Sequence, residues 1–434
     1  MKKYFLIIFL QFLIIVSSCV SNRYETPQEE LIKIAEQRAD RTEEVFVQTG
    51  LDMLFRVHLK KLQGKNVGLV VNHTAVDRNR IHLVDRLLEH DISIKAIFAP
   101  EHGYRGEAAA GQKIQDGVDP VSGAKVYSLY GINRKPSIEM IQGLDVIIYD
   151  IQDVGVRFYT YISTLGYVMQ AAAEAGIDFW VLDRPNPING YVADGPVLEW
   201  EYQSFVGLYP IPVRYGLTVG ELSRMIVSEN WLDFADNFRP VVIRMEGWDR
   251  IMWFDDTGLP WVAPSPNMPD LETATVYPGM CFIEGTNVSE GRGTDRPFLQ
   301  IGAPWIDSGE LALTLNARQL PGVEFQPVEF RPVDIPGRAV NPKYEDELCK
   351  GITIQVTDRV SFESVRAGIH VLHVLNVLYP DKFQWRENAI DRLYGSDQLR
   401  KFFHSDAPVD SLFTIWEDEQ LTYSGLLHYY MIYY

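Results

Sequence analysis

Between Asn66 and Pro187 short apolar runs alternate with helical segments, and few folds satisfy that alternation. Val67-Gly68-Leu69-Val70-Val71, Ile92–Ala99, Lys125–Leu129, Asp145–Tyr149 and Asp178–Leu182 read as strands. Ile81–His90 between them is amphipathic, Pro136–Gln142 opens on a proline, and Tyr161–Ala175 stops at Gly176. Strands apolar on both faces and separated by helices are those of a parallel sheet covered on both sides. The expected fold is therefore α/β, a Rossmann-like doubly wound sheet over residues 46–215. Residues 216–434 read as a smaller α+β domain. It opens with the capping box Thr218-x-x-Glu221 and holds the strand Val241–Met245, the helix Glu310–Arg318, the strands Val323–Arg331 and Ile352–Val356, and helices from Val365 onward. Pro260–Pro304, rich in Gly, Pro, Asn and Ser, reads as a long functional loop.

The N-terminus carries an address. Lys2 and Lys3 precede an apolar run from Tyr4 to Val16, which suits a secretory signal better than a membrane span. The run ends in Val16-Ser17-Ser18-Cys19, similar to a bacterial lipoprotein processing site; an ordinary signal peptide with an incidental cysteine is the rival. The expectation is a signal over 1–19, a lipidated Cys19, and a partly helical tether over 20–45 that holds the body at a membrane of the cell envelope, facing the periplasm. Cys281 and Cys349 read as two isolated buried thiols rather than a bridge.

Charge and missing motifs exclude several functions. Lys plus Arg number 40 and Asp plus Glu 58, a formal charge of −18, which repels nucleic acid. Asn72-His73-Thr74-Ala75 follows the first strand where a dinucleotide site needs Gly-x-Gly-x-x-Gly, so no dinucleotide is expected. There is no phosphate-cradling loop, serine elbow, His-Glu-x-x-His or Cys-x-x-Cys, and neither cofactor nor metal is expected.

Polar residues cluster where the strands end, which is where ligands bind in open α/β sheets. The strand ends are followed by Asn72 and His73; by Glu101, His102 and Arg105; by Asp150, Gln152, Asp153, Arg157, Tyr159 and Tyr161; and by Asp183, Arg184 and Asn186. What remains is carboxylate chemistry of the kind that cleaves glycosidic bonds. Glu101 directly follows an apolar strand, and partial desolvation favours the protonated carboxyl that a general acid needs. His102 would hydrogen-bond a substrate oxygen or tune Glu101, or else be structural. Asp150 and Asp153 would supply the second carboxylate or cap the following helix. Arg105 and Arg157 would clamp an anion or form surface ion pairs. Tyr159 and Tyr161 would stack on a sugar or pack on the helix.

Several blocks resemble one family. They are Val71-Asn72-His73-Thr74, Pro100-Glu101-His102-Gly103, Asp150-Ile151-Gln152-Asp153-Val154-Gly155-x-Arg157-x-Tyr159-Thr160-Tyr161, Asp183-Arg184-Pro185-Asn186-Pro187, Ser265-Pro266-Asn267-Met268-Pro269, Tyr277-Pro278-Gly279 and Glu284-Gly285-Thr286-Asn287-x-Ser289-Glu290-Gly291-Arg292-Gly293-Thr294. In family order from about Leu51 to the C-terminus, they resemble the bacterial exo-β-N-acetylmuramidases. The resemblance implies release of N-acetylmuramic acid from the non-reducing end of peptidoglycan fragments, a Rossmann-like subdomain facing a second one across the site, and a catalytic glutamate at Glu101. The lactyl carboxylate of that sugar calls for a local cation, for which Arg105, Arg157, Arg184 and Arg292 are candidates. Asn267, Glu284, Asn287 and Glu290 would reach the cleft from the second domain. The rival functions are an envelope lipoprotein that binds muropeptides without cutting them, and a metal-dependent amidase or esterase using His73, His102 and Asp150.

Overall fold

The computed structural model describes residues 26–38, 46–101, 103–104, 116–131, 133–405 and 407–434. The signal, Cys19, most of the tether, His102 and Arg105 lie outside the described residues.

A seven-stranded sheet forms the frame. Its strands are β1 (Asn66–Val71), β2 (Ser93–Ala99), β3 (Gly117–Val118), β4 (Lys125–Ser128), β5 (Val146–Asp150), β6 (Asp178–Leu182) and β9 (Val241–Ile243), in the order β3-β4-β2-β1-β5-β6-β9. Every pairing is parallel except β3 with β4 at the edge. The chain winds outward from β1 through β2 to β4, returns to β5 beside β1, and winds the other way. This is the doubly wound topology that the apolar runs predict, with its switch point between β1 and β5. β1, β5 and β6 are buried almost throughout, because helices cover both faces.

Local signals act as expected. The helix Tyr161–Ala175 ends at Gly176 with φ 66°, a left-handed position in which glycine costs least. Thr218 and Glu221 form the reciprocal capping box of the helix Val219–Ser228.

The second part holds a three-stranded antiparallel sheet, β10 (Gln300–Ala303), β12 (Cys349–Val356) and β11 (Val323–Phe330), in that order. It packs with the helices Leu271–Met280, Ser308–Asn316 and Ser364–Leu378. Gly279 and Gly368 let two of these helices touch: a Cβ on Gly279 would lie 1.8 Å from the Ser364 carbonyl oxygen. One apolar core runs from Ile147 and Leu165 under the large sheet to Val276, Ile352 and Trp416, so the two parts share an interior. A minor two-stranded sheet, β7 (Ala193–Asp194) with β8 (Arg214–Tyr215), lies between them in sequence.

Three expectations change. Val241–Ile243 belongs to the first sheet, where it pairs with Trp180–Leu182. The boundary expected near Tyr215 therefore cuts through that sheet. A three-residue strand carries no mark of its partner, since pairing is decided by the open edge of β6. Pro260–Pro304 is not one loop: Asp270 caps the helix Leu271–Met280, whose final turn accepts Pro278, and β10 follows. The helix Pro27–Arg38 of the expected tether docks on the body, with Leu31 buried and the Gln28 side-chain amide donating to the Val360 carbonyl. Cys281 and Cys349 are buried free thiols.

Candidate active site

Glu101 follows β2 and is half-buried. Thr160 begins the helix Tyr161–Ala175, yet its hydroxyl makes no cap; it donates to Glu101 Oε2 at 3.0 Å. A side chain that would ordinarily satisfy a helix terminus thus holds the carboxylate instead.

Both groups line a cavity between the two parts. Phe158, Tyr159, Tyr161, Ser265, Asn267, Met268, Tyr277, Arg292 and Phe298 complete it. One wall is a chain of edge-to-face rings: Tyr161 to Tyr159 at 5.0 Å, Tyr159 to Tyr277 at 5.9 Å, and Tyr277 to Phe298 at 4.8 Å between centroids. Burial raises the pKa of Tyr159, Tyr161 and Tyr277, which keeps all three hydroxyls protonated as donors. Ser265, Asn267 and Met268 come from a segment that is tied to this wall and to His73. Tyr161 OH donates to the Pro264 carbonyl at 2.6 Å, and His73 Nε2 lies 2.7 Å from the Ala263 carbonyl oxygen. Asn267 Nδ2 donates to the Arg338 carbonyl at 2.7 Å, while its Oδ1 is buried without a partner among the described residues.

Arg292 supplies the positive charge. Its guanidinium lies 5.1 Å from the Phe298 ring centre and donates to Glu284 Oε1 from Nε (2.9 Å) and Nη2 (2.7 Å). Burial opposes that charge, but Glu284 and Glu290 outweigh it and raise its pKa.

The strand-end residues divide into those that reach the cavity and those that hold the fold. Glu101, Tyr159, Tyr161 and Asn267 reach it, with Arg292 from the second part. Asn72 and His73 stand behind them: Asn72 Oδ1 accepts from the Thr74 amide and hydroxyl, and His73 ties down residue 263. Glu284 and Glu290 hold Arg292 rather than lining the cavity.

The other expectations are corrected. Asp150 is fully buried and takes Arg184 on both oxygens, one bond being 2.9 Å; Arg184 borders, with Gln152, a separate cavity beside Thr74 and Asp77, and neither Asp150 nor Arg184 lines the Glu101 cavity. Asp153 accepts from the Gly155 amide at 2.7 Å and from the Tyr215 hydroxyl. Burial pushes it up to about 7 despite those bonds, but it does not line the cavity. Arg157 is buried and donates to four carbonyls, those of Pro196, Ile211, Leu393 and Tyr394; burial lowers it to about 9. It ties distant chain segments together and clamps no ligand. Asp183 accepts from Arg184 N, Gly220 N, Thr218 Oγ1 and Tyr433 OH, which pins the residues near 433 to the first sheet. Gln152 donates to the Asp153 and Pro185 carbonyls, and Asn186 to that of Leu217. Asn287 is bound to Lys382 and Gln384. Each is a polar group at a strand or loop end most of whose hydrogen-bonding capacity the fold itself consumes, with Asp153 Oδ1 and Arg157 Nε left buried without a partner among the described residues.

Thr160, Ser265, Met268, Tyr277, Phe158 and Phe298 are lining residues that sequence reasoning did not single out. The first four stand inside the quoted blocks, which was the available signal. Among the described residues no group of three or more His, Cys, Asp or Glu could hold a metal ion, and no helix is long and apolar enough to cross a membrane.

A carboxylate, a hydroxyl-bearing aromatic wall and an arginine surround one cavity at the carboxyl edge of a parallel sheet and beside a second α+β part, groups of the kind with which carbohydrate-processing proteins hold a sugar. The chain belongs to the exo-beta-N-acetylmuramidase NamZ family: the family's N-terminal model matches residues 67–272 and its C-terminal model residues 275–433. The models meet between residues 272 and 275, well beyond Tyr215 and on the far side of β9. The chain is 46% identical over 389 residues to the peptidoglycan beta-N-acetylmuramidase NamZ of Bacillus subtilis, covering 89% of this chain and 91% of that one. Crystal structures of two DUF1343 family proteins from Bacteroides fragilis share the fold. One has a TM-score of 0.82 at 36% identity, over 90% of this chain and all of that one. The other has a TM-score of 0.71 at 32% identity, over 89% and 99%.

Proposed function

We propose that this protein is a glycoside hydrolase that removes N-acetylmuramic acid from the non-reducing end of peptidoglycan fragments, with Glu101 as general acid. The observation that carries the reading is the joint placement of Glu101 and Arg292 on one cavity. Family membership and the curated relative support the reaction class. In this reading Glu101 protonates the departing glycosidic oxygen as its bond to the anomeric carbon breaks, and a water molecule adds its oxygen to that carbon and returns a proton, so that free N-acetylmuramic acid and the shortened fragment result. The ring wall packs on the sugar, Asn267 Oδ1 accepts a hydrogen bond from it, and Arg292 takes the lactyl carboxylate. Glu101→Gln is expected to lower kcat on a chromogenic N-acetylmuramide by about 10²–10⁴-fold, the usual worth of a positioned acid, while the fold is kept. Near-wild-type turnover in the folded variant would remove Glu101 from the mechanism.

The location is part of the same proposal. Lys2-Lys3, the apolar run and Ser17-Ser18-Cys19 support lipidation at Cys19 and a place on the periplasm-facing side of an envelope membrane, next to the polymer. Membrane fractionation of the wild type and of Cys19→Ser checks this. An anchor at Cys19 predicts that only the variant is released.

A further inference from the structure

Behind Arg292 stands a second cation. Lys343 lies between β11 and β12, far in sequence from the quoted blocks. Its Nζ is 3.0 Å from Glu290 Oε2 and donates to the carbonyls of Ile283 (3.0 Å) and Val288 (2.8 Å). Glu290 is only 5% exposed, and its Oε1 is 3.6 Å from Arg292 Nε. The Nε–Nη2 edge of Arg292 is taken by Glu284. Among the described residues no hydrogen bond reaches its Nη1.

Two cations and two carboxylates bring this cluster to zero net charge. Without Lys343 its charge is −1, and both carboxylates compete for one guanidinium in a partly dry setting, where such attractions are strong. A chain of formal charge −18 then presents an anionic substrate with a cation already outnumbered.

We propose that Lys343 is a positioning residue that engages Glu290 and so leaves the Nη1 end of Arg292 to read an anionic group on the substrate. Resting on the function proposed above, that group is the lactyl carboxylate of the muramic residue, and Lys343 acts on specificity through Arg292 without touching the sugar.

The test compares two chromogenic N-acetylmuramides, one with the free lactyl carboxylate and one with that group as its neutral methylamide. The wild type is expected to favour the acid. In Lys343→Met that preference falls by about tenfold or more, chiefly through KM on the acid. Lys343→Arg keeps the charge and the preference. The double variant Lys343→Met with Glu290→Gln restores zero net charge and regains much of the preference, which a lost backbone tie would not do. Equal losses on both substrates in Lys343→Met, with no recovery in the double variant, would make Lys343 a structural tie only and overturn the inference. Equal wild-type turnover of acid and amide would overturn it too. Failure to cleave either substrate would instead defeat the glycosidase reading on which it rests.

Discussion

The knots at the ends of β5 and β6 and the cluster around Arg292 contain the same residue types but are built differently. At the strand ends nearly every strong donor meets an acceptor within the protein: Arg184 with Asp150, Arg157 with four carbonyls, Asp183 with four donors. The atoms left over there, Arg157 Nε and Asp153 Oδ1, are buried and belong to residues that do not line the Glu101 cavity. Around the cavity, satisfaction is incomplete, since Arg292 keeps an open end and Asn267 Oδ1 has no partner among the described residues. A saturated polar cluster stabilises the fold. An unsaturated one, beside a cavity, has capacity left for a ligand.

The largest expected break in that comparison is at the saturated side. Asp150→Asn leaves the Arg184 charge buried without its counter-ion and should cost about 3–5 kcal/mol of stability. Denaturant unfolding reads this, and kcat per folded molecule should stay near wild type. A large loss of kcat with unchanged stability would return Asp150 to the active site. Arg292→Met should do the reverse. It is expected to raise KM for an N-acetylmuramide by about 10–100-fold, as loss of a charge-assisted contact does, with a smaller change in the unfolding midpoint. An unchanged KM would leave the cavity without its proposed anion reader.

A more gradual effect, read as a slope with pH, concerns Asp153. Burial pushes its carboxyl to about 7, against about 3.9 in an unfolded chain. Between those values the folded state binds more protons than the unfolded one, so this group's contribution is full below about pH 4 and is lost as pH rises through about 7. One such group changes stability by at most about 1.4 kcal/mol per pH unit. Asp153→Asn cannot ionise, and its unfolding free energy should vary less steeply with pH across that window. An identical slope in both proteins would show that Asp153 is ionised throughout.

Local physics was readable in the chain, and long-range partnership was not. Continuous apolar runs announced the parallel strands, and Gly176 and the Thr218–Glu221 pair announced helix ends, because each signal lies within a few residues of its effect. Glu101 was legible as the carboxyl after β2. Its partner Thr160, 59 residues on, was not. Arg157 resembled a substrate clamp because residues 196, 211, 393 and 394, which surround it, are set by the tertiary fold. The helix Leu271–Met280 was hidden by Pro278 and Gly279, the latter required by the close approach of the helix Ser364–Leu378. Lys343 carries no local mark, because its role follows from the loop that folds back over Glu290.

The cavity bounded by Glu101 and Arg292 is expected to cut one terminal sugar from a peptidoglycan strand. Mass spectrometry of defined muropeptide oligomers with a terminal muramic residue, before and after incubation with the purified protein, addresses it directly. Free N-acetylmuramic acid and a partner fragment shorter by that one residue are expected, with the release slowed by about 10²–10⁴-fold in Glu101→Gln. Oligomers left intact, or cut internally or at the peptide with no free N-acetylmuramic acid, would contradict it.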